Sequence, residues 1–123
     1  MTNQDKINAS DILNNVVIEG MQKIKGNDII SLNLKDIETA VCDYFIICHG
    51  TSNTHVNAIA DSVIEETLKT LQDKPFSKEG MQSGEWILLD YGNVVVHVFQ
   101  KEIRDFYNIE KLWGDAVINH IKQ

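Results

Sequence analysis

The chain has 123 residues, 43% hydrophobic and 24% charged, the length and composition of one globular domain with a core of its own. Eleven Lys and Arg against 18 Asp and Glu give a net charge of −7, which argues against nucleic-acid binding by simple electrostatics, since neutralising phosphates takes a basic face. No apolar run is long enough to span a bilayer, and the start, Met-Thr-Asn-Gln-Asp-Lys, resembles neither a signal nor a transit peptide, so a cytoplasmic protein without a membrane segment is expected.

Residues 1–9 are polar and predict a frayed end. From Ser10 a helix is signalled: Ser10 as cap, Asp11 in the first turn, Gly26 as terminator, with Ile12, Leu13, Val16, Val17, Met21 and Ile24 on one face. Gly20 lies inside that pattern and costs about 1 kcal/mol relative to Ala. Residues 27–34 alternate as a strand, and Lys35 to Val41 connect it to a second run, Asp43 to His49, apolar enough to be central. Gly50-Thr-Ser-Asn53 turns the chain into the longest helix, to about Gln72, with Val56, Ile59, Ala60, Val63, Ile64, Leu68 and Leu71 inward and Asp61, Glu65, Glu66 and Lys69 outward.

After Pro75 a short strand is expected over residues 76–80 and a loop to Gly84. Two strand-like runs, Trp86 to Tyr91 and Val94 to Phe99, then flank Gly92-Asn93, a pair suited to a tight hairpin turn. The second run is apolar on both faces except at His97, as in a strand covered from both sides. Lys101 to Tyr107 predicts a helix, Ile109, Leu112 and Trp113 carry an apolar face onward, and Val117, Ile118 and Ile121 extend a last helix. The sum is a single α/β domain with a mixed sheet flanked by helices.

A strand-to-helix turn at His49-Gly50-Thr51-Ser52 could hold an anion, but it lacks the P-loop spacing, and capping by Thr51 or Ser52 accounts for it. Asp36 and Glu38, the only carboxylates two apart around an apolar residue, precede this turn, and Asp90 has no acidic partner at that spacing; a metal-dependent nucleotidyl transfer would need such a pair after it. His49, His55, His97 and His120 fit no metal spacing. His97 reads as a hydrogen-bonded core or edge residue, and Cys42 and Cys48 as buried free thiols. Neither a catalytic group, a cofactor nor a metal is expected. The first hairpin strand is the better candidate, as a binding surface. Trp86, Leu88 and Asp90 point one way and Ile87, Leu89 and Tyr91 the other. Trp and Tyr often dominate interfaces, and a carboxylate beside them selects Lys or Arg on a partner. The pattern leaves Trp86 open as core residue or interface anchor.

The segments Asp43-Tyr-Phe-Ile-Ile-Cys-His-Gly-Thr-Ser52, Glu79-Gly80, Trp86-Ile-Leu-Leu-Asp-Tyr-Gly-Asn-Val-Val-Val-His-Val-Phe99, Phe106-Tyr107 and Leu112-Trp-Gly-Asp115 together resemble the ribosomal silencing factor family, RsfS or Iojap. The resemblance covers residues 10–116 and leaves 117–123 as an extension. It implies a nucleotidyltransferase-like fold without the catalytic carboxylates. It also implies a non-enzymatic protein that binds the fourteenth protein of the large ribosomal subunit and sterically blocks association with the small subunit, repressing translation under nutrient limitation, and that is a homodimer when free. Trp86 and Asp90 map to the family's contact surface; Leu88, Tyr91 and Glu79 join them by position and chemistry. Where many relatives carry Asp after the hairpin glycine, this chain has Asn93. The alternatives are a phosphate-handling enzyme of nucleotidyltransferase type and a large-subunit assembly factor.

Overall fold

Six strand segments pair into one mixed sheet that is wrapped very differently on its two faces. The structure, a computed structural model, describes the backbone of residues 3–122 and the side chains of residues 9–122. Helix α1 (Asn3–Lys23) leads into β1 (Asn27–Asn33) and β2 (Tyr44–Gly50); helix α2 (Asn53–Leu71) follows, then β3 (Ser77–Glu79), β4 (Trp86–Asp90), β5 (Val94–Gln100), helix α3 (Lys101–Tyr107), a 3-10 turn (Ile109–Trp113) and β6 (Val117–His120). The sheet order is β3-β4-β5-β2-β1-β6. β2 and β5 run parallel at its centre, and the other pairs are antiparallel. A parallel neighbour requires a crossover, which α2 supplies.

α1 and α2 pack side by side on one face. Leu13, Val17 and Met21 of α1 and Val56, Ile59, Ala60 and Val63 of α2 meet Ile46, Cys48, Ile87, Leu89, Val94, Val96 and Val98 there. Gly20 is explained by this contact: a Cβ on it would stand 2.8 Å from the Val63 Cα, so the helix gives up propensity to let the two backbones approach. The Ser62 hydroxyl, donating to the Gly20 carbonyl at 2.7 Å, ties the crossing. Beyond it α2 departs from the expected stripe. Glu66 is buried and Leu68 is 52% exposed, because the α1 end carries Lys23 over the helix and pairs it with the Glu66 carboxylate. At its start Ser52 caps α2, its Oγ accepting the His55 N–H at 3.1 Å.

The opposite face holds a smaller core of Ile30, Leu32, Leu34, Cys42, Ile47, Phe99 and Ile109, with Phe45, Trp86, Val95, Ile103 and Trp113 packed around it. No long helix lies over it among the described residues. β5 is buried from both sides, as its apolar run predicts. The hairpin closes across Gly92 and Asn93, with Tyr91 N–H donating to the Val94 carbonyl at 2.9 Å and Gly92 at a φ of +87°.

Two expectations about the ends are corrected. α1 begins at Asn3, not at a cap on Ser10; residues 3–9 contain neither Gly nor Pro, so nothing stops the helix from propagating through them. The part of the frayed segment at Met1 and Thr2 lies outside the described residues, as does Gln123 of the extension. Residues 117–120 form β6 rather than a helix, paired antiparallel with β1 from Ile30↔His120 to Asn33↔Val117, because the edge of β1 offers backbone partners that a short isolated helix lacks.

Candidate functional site

Strand alternation and register gather four of the five expected residues on the face away from α1 and α2. In β4, Ile87 and Leu89 are fully buried under the helices, while Trp86, Leu88 and Asp90 are half-buried on the other side. Directly paired residues share a face. Glu79 of β3 stands opposite Leu88, and Ser77 opposite Asp90; across β5, Leu88 faces His97, Trp86 faces Phe99, and Asp90 faces Val95. Glu79 is exposed and rims the face with negative charge. One Asp90 oxygen accepts the Gly92 N–H at 2.8 Å, so the hairpin turn itself orients this carboxylate.

Tyr91 is the exception and a correction. It is 4% exposed, and its hydroxyl pairs with the Thr67 hydroxyl of α2 at 2.8 Å. It continues the Ile87–Leu89 row beneath the helices and has no surface to offer a partner; burial pushes its phenol up to about 12.

Trp86 anchors an aromatic cluster. Its ring centroid lies 4.8 Å from Phe99 and 4.9 Å from Tyr107. The indole Nε1–H donates to His97 Nδ1 at 3.2 Å. His97 in turn meets the Phe45 ring edge-on at 4.8 Å, and Phe45 meets Trp113 at 5.8 Å. Tyr107 and Trp113 are carried onto the face by α3 and the 3-10 turn. The same segments leave Phe106 79%, Leu112 76% and Tyr107 51% exposed, large apolar side chains of the kind that mark interaction surfaces when they cluster. α3 is pinned from below by Arg104, 7% exposed, which donates to His49 Nδ1 at 2.9 Å and to Glu110 at 3.3 Å. The cluster is thus neutral and apolar at its centre, and carboxylates stand at its rim.

His97 is 4% exposed, and burial holds it down to about 4, so it is neutral near pH 7. With Nδ1 accepting from the indole, the proton resides on Nε2, which has no hydrogen-bond partner among the described residues. His97 and Tyr107 are contributors that pattern reading did not assign. The signal for His97 was its place as the one polar residue within Val94–Phe99; for Tyr107 it was the Phe106-Tyr107 pair at a helix end. Arg104 gave none, since an Arg on a short helix reads as solvent-facing.

The His49–Ser52 turn borders an open cleft of about 740 Å³ with Asn27, Gln100, Lys101 and Glu102. Its polar groups are already used locally: Ser52 caps α2, Thr51 N–H donates to His55 Nδ1 at 2.9 Å, and His49 accepts from Arg104. Among the described residues no group of three or more His, Cys, Asp and Glu could hold a metal ion. Cys42 and Cys48 are free and buried, and burial pushes their thiols up to about 11 and about 12.

The family model described as "Ribosomal silencing factor during starvation" matches residues 6–123. The chain is 45% identical over 93 residues, 75% of its length and 76% of the relative's, to ribosomal silencing factor RsfS of Bacillus subtilis. A crystal structure of a Chromobacterium violaceum protein superposes with a TM-score of 0.79 at 41% identity, covering 85% of each chain. A more distant relative from Mus musculus, named mitochondrial assembly of ribosomal large subunit protein 1, is 35% identical over 78 residues, 62% of this chain and 34% of that one.

Proposed function

The chain belongs to the ribosomal silencing factor family, and from that premise we propose that it docks on the large ribosomal subunit through the open face of its sheet. The single observation that carries this reading is the convergence of Trp86, Leu88, Asp90 and Glu79 on the face away from α1 and α2, with the exposed Tyr107 against Trp86 and Phe106 against Tyr107. Such a face combines an aromatic anchor with an acidic rim and suits a partner that presents apolar side chains ringed by Lys or Arg. The fourteenth protein of the large subunit, at the surface that meets the small subunit, is that partner. A folded domain seated there excludes the small subunit by volume alone and represses translation when nutrients are short, with no chemistry required of the chain. The free protein is a cytoplasmic homodimer in this reading.

Co-sedimentation with purified large subunits tests it. The wild-type protein should pellet at low salt and progressively less as salt is raised, because the rim charges are screened. Trp86→Ala should weaken binding by roughly 30-fold, as expected when a central Trp is truncated. A folded wild-type protein that stays in the supernatant at moderate salt refutes the proposal. Addition of the bound factor should also reduce recovery of joined ribosomes from mixed subunits.

A further inference from the structure

We propose that His97 is a positioning residue of this face: by accepting the Trp86 indole N–H at Nδ1, it holds the ring in the one orientation that docks. The inference rests on the reading above, that the Trp86 face is where the partner sits.

The indole packs against two rings and makes one hydrogen bond. Its contacts with Phe99 and Tyr107, at 4.8 and 4.9 Å, are between ring surfaces tilted by 31° and 46°. Contacts of that kind reward overlap but tolerate sliding and a half-turn of the ring. The bond to His97 Nδ1 at 3.2 Å is directional. A flipped indole would keep much of its stacking and lose this acceptor, so the hydrogen bond selects between two otherwise similar placements. His97 is able to impose that choice because it is itself enclosed by neighbouring side chains. It is 4% exposed, meets Phe45 edge-on at 4.8 Å and lies nearly parallel to Phe99, 11° off at 6.1 Å.

The second observation is a cost. With Nδ1 engaged, Nε2–H is a buried donor with no partner among the described residues. Leu or Phe at this position would fill the same space without that unpaired donor, at the cost of the acceptor now given to the part-buried Trp86 indole N–H. What histidine brings here in return for its unpaired donor is therefore the acceptor it offers to Trp86. Positions that trade stability for function in this way concentrate at binding and catalytic sites.

The test compares His97→Leu, His97→Asn and Trp86→Ala. Asn places Oδ1 two bonds from Cβ, as histidine places Nδ1, so it can restore the acceptor. In the wild type, the Trp86 indole N–H resonance should be shifted from the free-indole position and should exchange slowly. His97→Leu should lose that signature, remain folded, and bind large subunits roughly tenfold more weakly, the factor expected for one hydrogen bond's worth of preorganisation. His97→Asn should recover the indole signature and most of the binding. A wild-type Trp86 indole N–H that exchanges as fast as an exposed one overturns the proposal without any variant. So does a folded His97→Leu protein that binds as tightly as wild type while Trp86→Ala has lost binding. Undiminished binding by Trp86→Ala instead removes the docking reading on which the proposal stands.

Discussion

The two faces of the run from Trp86 to Tyr91 are taken by alternate residues of one pleated strand and behave as different materials. Ile87, Leu89 and Tyr91 lie under α1 and α2 in a dry, close-packed layer, with the one phenol hydroxyl paired to Thr67. Trp86, Leu88 and Asp90 lie on a face roofed only by a short helix and a 3-10 turn, where rings meet edge-on and tilted and each of the three side chains keeps part of its surface in water. A residue's contribution to stability and its availability to a partner are therefore set by its parity along the strand, and changes on the two sides should separate cleanly.

The largest contrast is between adjacent leucines. Leu89→Ala opens a cavity in the covered face and should cost about 2–5 kcal/mol in urea unfolding, whereas Leu88→Ala should cost less than about 1 kcal/mol and show its effect in large-subunit binding. Equal destabilisation by both would erase the distinction between the faces.

Acid should act on the open face next. Folded His97 is held to about 4 against an ordinary value of 6.5, so between those values the unfolded chain binds a proton that the fold refuses. Stability is complete above about pH 6.5 and falls as the pH drops towards 4, by roughly 3 kcal/mol from this residue alone. His49, also held down by burial and by Arg104, adds loss of the same sign. Asp11, held down by Lys35 and Tyr44, and Glu66, held down by Lys23, contribute theirs at lower pH. Urea titrations at pH 7 and 4.5 should show a markedly shallower pH dependence for His97→Leu than for wild type.

On the covered side, Gly20→Ala improves helix propensity yet drives a Cβ into the Val63 backbone, and should destabilise by about 1–3 kcal/mol through overpacking. Tyr91→Phe removes only the bond to Thr67, and should cost about 1 kcal/mol with binding unchanged. A loss of binding in that variant would mean that the covered face communicates with the partner.

Much of this arrangement was legible in the sequence. The Val94–Phe99 run, apolar on both faces except at His97, announced a central strand because a strand covered on both sides needs no polar alternation, and Trp86, Leu88 and Asp90 announced a shared face through the period of two. Which face the helices would take was not legible, since both alternating sets are apolar enough to be core; Tyr91 was added to the site for its chemistry and its nearness to Asp90, although alternation sets it on the side opposite Trp86. β6 was missed because Val117, Ile118 and Ile121 fit helical spacing, while the strand is decided by a backbone edge on β1 eighty residues away and more. Glu66 was misjudged and Arg104 passed over for a related reason: their burial depends on Lys23 and on His49 and Glu110, partners that no local pattern contains.

The position of β5 at the sheet centre has a further consequence, for the order of folding. Its hairpin with β4 closes through a two-residue turn and should form within microseconds, whereas its parallel pairing with β2 joins residues as far apart as Ile46 and Val96 and must wait for a long loop to close. In that interval Val-Val-Val-His-Val-Phe presents an unpaired edge, without a formal charge and apolar on both sides, the composition that seeds strand association between chains. Refolding yield should accordingly fall as protein concentration rises, and the loss should be set by the time β5 waits for β2.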